Sequence, residues 1–285
     1  ARLYALFHKL FGAAPDAAAI EALLGEATAD AVDEYAEDDE TMRGFGRFLS
    51  ELAAVEGRAA LLEAARDEYV RLLVGPGALP AIPWEAPYRT GEPTVFQEGT
   101  LAVRAAYRAR GVQPKKLQRV PDDHVALECA FMALEARRSL AQLIACDVRA
   151  LAAGLRAQQS FAVEHMAGWL GEYAKGLRRS ATAVLYPQAA EALAAFVAMS
   201  VYKMDFDHLT YQIALPLMAA GFLFLPMHEP WNVIGTAVHQ FGYQYFYIII
   251  WALWALLARK LDKPVARFAS LSMMMLMAGQ LVGSI

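Results

Sequence analysis

Two clusters of residues combine chemistry with suggestive spacing. The first is Glu68-Tyr69, followed by Gly75-Pro76-Gly77 and then by Pro80, Pro83, Trp84, Glu85, Pro87 and Tyr88. Prolines restrict the unfolded chain, so such a loop orders at low entropic cost and can hold Trp84 and Tyr88 in place. It suits an apolar peptide groove, and it equally suits the sealing of a core. The second cluster is Pro121-Asp122-Asp123-His124, followed by Leu127, Glu128, Phe131 and Met132. One aspartate can cap the helix that follows. The second aspartate and His124 then have no evident local task, and together they could grip a cation or the backbone of a bound peptide. His124 and Glu128 lie four apart on one helical face, a spacing open to a metal, but the pattern supplies no third ligand. Phosphate-loop, nucleophile-elbow and zincin motifs do not occur in the chain. We therefore expect a binding protein with no catalytic residue, no metal ligand and no cofactor.

The elements that must carry these clusters read as helices. Leu3, Leu6, Phe7 and Leu10 recur at spacings of three and four over Ala1–Phe11. Asp16 is placed to cap a helix over 17–27. Further helices are expected over about 41–55, with Met42, Phe45, Phe48, Leu49 and Leu52 inward, and over about 57–74, 94–110, 122–152, 158–178 and 186–200. No alternating β-branched run is long enough for a strand. The fold class is all-α. The acidic run Asp30, Asp33, Glu34, Glu37, Asp38, Asp39 and Glu40 reads as a solvated helix end and loop, and alternatively as an attractor for an arginine-bearing peptide.

Charge divides the chain. Of the 26 Lys and Arg only five, and of the 30 Asp and Glu only four, lie beyond residue 200. We expect a soluble, mildly acidic domain over 1–200, unsuited to nucleic acid, and a hydrophobic helical segment over 201–285. No Lys, Arg, Asp or Glu occurs from His208 to His228, from Pro230 to Ala258, or from Phe268 to Ile285. With about 20 apolar residues needed to span a bilayer, about three transmembrane helices are expected, so that residues 209–285 meet the membrane. Arg259, Lys260, Lys263 and Arg267 would place their loop, and residues 1–207, on the cytoplasmic side. Cys129 and Cys146 form no disulfide framework and fit a reducing compartment. The chain opens without Met inside an apparent helix, so residues ahead of Ala1 are expected.

Glu68-Tyr69 with the Gly-Pro-Gly turn, LPAIPWEAPY over 79–88, PDDHVALECAFMA over 121–133 and FAVEHMAGWL over 161–170 resemble, in order, the signature blocks of the TorD/DmsD family of redox-enzyme maturation chaperones. The likeness spans roughly residues 1–200. Ala86-Pro87 departs from the family pattern, where a small polar residue commonly follows the glutamate. The resemblance implies an all-helical chaperone that binds the twin-arginine signal peptide and the apo-form of a molybdenum-cofactor oxidoreductase, assists cofactor insertion and holds back export. It implies peptide contacts at Pro83, Trp84, Asp123 and His124. Around these we expect Tyr69, Pro80, Glu85, Tyr88, Asp122, Glu128, Phe131, His165 and Trp169 to complete the binding region. Trp84 and the Asp123–His124 pair should face one groove. The stretch from Phe241 to Ile285 faintly resembles the last membrane helices of LuxR-type multi-span regulators. That likeness implies a DNA-binding domain beyond Ile285, so the alternative is a membrane-bound sensor lacking its output domain. A nucleotide-binding enzyme is the other rival. The expected location is cytoplasmic for 1–207, tethered to the inner membrane by the C-terminal segment.

Overall fold

The computed structural model describes residues 1–75, 78–92, 94, 98–114, 121–180, 184–208, 215–224 and 226–260. Two compact units emerge, Ala1–Val201 and Tyr202–Ile285. The regular structure described is helical, in keeping with the all-α expectation. The first unit runs α1 (Arg2–Gly12), α2 (Ala17–Leu24), α3 (Glu26–Ala36), α4 (Glu40–Ala54) and α5 (Arg58–Tyr69). It continues through α6 (Glu85–Thr90), α7 (Glu98–Ala109), α8 (Val125–Ile144), α9 (Val148–Phe161), α10 (Leu170–Arg178) and α11 (Tyr186–His208), whose last turns enter the second unit.

The apolar stripe of α1 is buried as its periodicity requires: Leu3, Leu6, Phe7 and Leu10 are all in the core, joined by Tyr4 and Phe11. α1 packs against α8, and His8 Nδ1 bonds the Ala126 carbonyl at 2.8 Å. Asp16 caps α2 as expected, accepting from the Ala19 N–H at 2.7 Å. The helix then stops at Gly25, and α3, starting at Glu26, carries Asp30, Asp33 and Glu34 of the acidic run within helix rather than at a helix end or in a loop. Asp39 caps α4 through the Met42 N–H, and Met42, Phe45 and Leu49 turn inward.

Three anchors cross long stretches of sequence. The buried Glu68 carboxylate accepts from the backbone N–H groups of Val184, Leu185 and Tyr186 at 2.7, 2.6 and 3.0 Å, tying the end of α5 to the start of α11. Glu135 on α8 is gripped by Arg110 at 2.7 Å and Arg138 at 2.7 Å. Gly154 of α9 lies so close to Ser139 of α8 that a Cβ there would come within 2.7 Å of the hydroxyl.

Two helices deviate from the α ladder where the signature blocks lie. Val70–Val74 after α5 and Ala162–Met166 after α9 are π turns, a widening that often marks functional positions. The single helix expected over 122–152 is instead a hairpin. α8 ends at Ile144, Cys146 takes a left-handed φ of 55°, and Asp147 caps α9 through the Ala150 N–H. Neither Gly nor Pro marks this break, so apolar periodicity alone ran through it.

In the second unit α12 (Leu215–Phe224) packs on α13 (Trp231–Lys260). Among the described residues no helix is long and apolar enough to cross a membrane. The expected transmembrane spans over His208–His228 and Pro230–Ala258, and the membrane tether through residues 209–285, thus find no support among the described residues. α12 covers Leu215–Phe224, and the residues on either side of it, 209–214 and 225, lie outside the described residues. α13 is longer, but Asn232, Thr236, His239, Gln240 and Gln244 interrupt its first half. The third segment, 268–285, lies outside the described residues.

Candidate functional site

The proline loop and the start of α8 meet. Trp84 and His124 form a single antiparallel bridge. The Glu85 N–H donates to the Asp123 carbonyl and the Val125 N–H to the Pro83 carbonyl, both at 3.0 Å. The two rings stand edge to face, 5.7 Å between centroids. On its other side the loop lies against α10, where a Cβ on Gly176 would come within 2.7 Å of the Ala81 Cβ and 3.3 Å of the Pro80 carbonyl.

The local capping expectation is corrected here. His124, not an aspartate, caps α8: its Nδ1 accepts from the Ala126 N–H at 3.1 Å. Removal from water, with His8 nearby, pushes the His124 pKa down to about 4, which keeps Nδ1 free to accept. Asp123 instead serves a distant element. One carboxylate oxygen accepts from the Ala86 N–H in the first turn of α6, and the other from the Thr100 hydroxyl on α7, both at 2.9 Å. Asp122 pairs with Arg104, and its carbonyl accepts from the Tyr107 hydroxyl at 3.0 Å.

Behind the bridge lies a buried row of ionisable groups. Glu85 reaches Arg89 at 3.1 Å and His165 Nδ1 at 3.1 Å. The Trp169 indole N–H donates to the His165 carbonyl at 2.6 Å. Neither Glu128 oxygen has a hydrogen-bond partner. Burial first, then the neighbouring Glu85 and Asp123 carboxylates, raise the Glu128 pKa well above the usual range and disfavour its charged form. Phe131, Phe161 and Tyr107 pack as an aromatic cluster, with Phe131 and Phe161 4.6 Å apart and His165 5.0 Å from Phe161. Tyr88 lies 5.4 Å from Trp169, and burial pushes its hydroxyl up to about 12.

The structure thus gathers Pro83, Trp84, Glu85, Tyr88, Asp122, Asp123, His124, Glu128, Phe131, His165 and Trp169, drawn from three blocks. Tyr69 sits apart, its ring 5.6 Å from Tyr186, and Pro80 is exposed at the loop edge against α10. Burial divides the set. Glu85, Asp122, Asp123, Glu128, Phe131, His165 and Trp169 are in the interior, whereas Tyr69, Trp84, Tyr88 and His124 keep partial exposure. Trp84 and His124, expected to face one groove, lie against each other through the bridge and the ring contact. A hollow of about 660 Å³ is bounded by Phe45 of α4, Ala174 of α10 and Ala195 of α11. Sequence reasoning passed over Thr100, Arg104 and Arg89, which complete the network. Nothing in their spacing distinguishes them from ordinary solvent-facing residues.

A family model described as nitrate reductase delta subunit matches residues 32–175, a span that contains all four signature blocks. The chain belongs to this family. Its likeness to redox-enzyme maturation chaperones of the TorD/DmsD type is thereby shown. Proteins named Tat proofreading chaperone DmsD from Salmonella paratyphi A, Salmonella typhi and Salmonella typhimurium are each 37% identical to it over 62 residues. The match covers 22% of this chain and 30% of each of those proteins. The chain therefore spans about 30% of the length of the curated relatives it matches.

Proposed function

We propose that this chain is a non-catalytic cytoplasmic chaperone. It binds the twin-arginine leader and the apo-form of a molybdenum-cofactor oxidoreductase, assists cofactor insertion and delays export until insertion is complete. The observation that carries this reading is the convergence of the signature blocks in a member of this family. Segments about 40 and 80 residues apart close on one another through the Trp84–His124 bridge and the Glu85–His165 pair.

In this reading the two burial classes have separate tasks. Pro80, Trp84, Tyr88 and His124 touch the apolar middle of the leader, and Tyr69 extends the surface. Glu85, Asp122, Asp123, Glu128, Phe131, His165 and Trp169, together with Pro83, hold the loop and helix ends that present them. Both Asp123 oxygens are already engaged, so the leader's arginines turn to exposed carboxylates such as Asp30, Asp33 and Glu34 on α3. Affinity stays moderate, because ordering a flexible leader costs free energy and the client must be released.

The test is calorimetric titration of the cognate leader peptide. Trp84→Ala should weaken binding by about 1–3 kcal/mol, the scale of a lost aromatic anchor, while helicity is unchanged. Unaltered affinity in a folded Trp84→Ala protein would move the binding surface elsewhere.

A further inference from the structure

The α8–α9 hairpin carries an apolar face that the leader-binding reading leaves unused. Ile144 is 76% exposed, Val148 75%, Leu143 57% and Leu140 55%, with Leu155 also exposed. Leu140, Leu143 and Ile144 follow the spacing of one helical face, and so do Val148 and Leu155. The two helices touch along a different line, where Gln158 donates to the Ser139 hydroxyl at 2.9 Å and Gly154 closes on Ser139. Helical rotation from that line brings both sets to the same flank of the antiparallel pair. The result is a continuous aliphatic strip, of a kind that marks an interaction site in a soluble domain.

Its border is cationic. Between residues 136 and 160 lie Arg137, Arg138, Arg149 and Arg156 against Asp147 alone, in a chain whose net charge is −4. Arg138 is engaged with Glu135, and Asp147 is engaged in capping α9. Arg137, Arg149 and Arg156 are exposed, and among the described residues none forms an ion pair. The furrow between two antiparallel helices accepts a third helix by ridge-into-groove packing. The face holds no Trp, Tyr or Phe to seat it at a lipid headgroup level, which favours a polypeptide over a bilayer.

We propose that this face docks an amphipathic helix of a polypeptide partner, with an apolar stripe bordered by Asp or Glu. It is a different ligand from the cationic leader, which the arginine border repels, so either assignment can fail alone.

The test uses the full chain and two synthetic 18-residue helical peptides sharing one leucine stripe, the first bordered by Glu and the second by Lys. Fluorescence anisotropy at low salt should show the Glu peptide binding at least tenfold tighter than the Lys peptide. Ile144→Ser with Val148→Ser should weaken it tenfold or more. Arg149→Gln with Arg156→Gln should weaken it severalfold and flatten its salt dependence. All four positions are exposed, so helicity should not change. Equal binding of both peptides would overturn the proposal, as would binding that survives the double Ser variant. Binding to phosphatidylglycerol vesicles without binding to the Glu peptide would assign the face to a membrane and refute it. A concentration-dependent dimer in sedimentation that Ile144→Ser abolishes would refute it in favour of a second copy of the chain.

Discussion

Replacing Glu68 by Ala removes the acceptor for three backbone N–H groups at the start of α11. Water can reach the Val184 group, which is only part-buried, whereas the Leu185 and Tyr186 bonds are buried. Each buried donor left without an acceptor costs about 1–3 kcal/mol, and the loss of a carboxylate at a helix N-terminus adds up to about 1 kcal/mol. The expected destabilisation is about 4 kcal/mol, a large fraction of the 5–15 kcal/mol typical of a domain. At about 2–4 °C per kcal/mol for a domain of this size, the melting point should fall by roughly 10 °C. Glu68→Gln keeps an acceptor oxygen but turns an amide N–H₂ toward backbone donors, so it should lose roughly half as much. Urea titration followed by far-UV circular dichroism measures both variants. A loss below about 1 kcal/mol for Glu68→Ala would show that the N–H groups find other acceptors, and the tie between α5 and α11 would not be structural.

Gly176→Ala forces a Cβ to within 2.7 Å of Ala81. Overpacking should outweigh the gain in helix propensity and destabilise by about 1–2 kcal/mol, with leader affinity falling in the same variant, as denaturation and titration would reveal. Because the folded His124 pKa lies near 4 against 6.5, the unfolded chain binds a proton first on acidification. Stability present above about pH 6.5 should therefore be lost by about 2–3 kcal/mol as pH falls toward 4. His124→Asn, which keeps a cap acceptor, should flatten that slope in pH-dependent melts. Glu128 has the opposite sign. Its raised pKa makes the folded state hold a proton that the unfolded state releases above about pH 4.5, so Glu128→Gln should raise stability at pH 7 and leave it unchanged at pH 3.

What the sequence made legible followed strong local signals. The apolar stripe of α1, the Asp16 cap and the inward face of α4 depend on residues within one or two turns, and all were readable. The hairpin break at Cys146 was not, because a left-handed residue without Gly carries no compositional mark, although Asp147 was an available cap signal. Asp123 illustrates the harder failure. An aspartate before a helix reads as that helix's cap, whereas this one satisfies α6, 37 residues away, and a histidine takes the local place. Long-range capping leaves no trace in spacing. The expected membrane spans rested on counting uncharged residues, a count that gives no weight to the uncharged polar residues of α13, Asn232, Thr236, His239, Gln240 and Gln244.

The packing of α1 has a consequence for how the molecule is made. Its Phe7 and Tyr4 rings complete their surroundings only against Phe196 of α11, at 6.5 and 4.7 Å, and its backbone settles against α8. At a synthesis rate of about 5–20 residues per second, the ribosome needs on the order of 10–40 s to travel from the first of these helices to the last. Throughout that interval the stripe of Leu3, Leu6, Phe7 and Leu10 has emerged without its lid. The nascent chain therefore exposes an adhesive stripe from the moment α1 emerges, and that stripe stays a liability until α8 and α11 have been made.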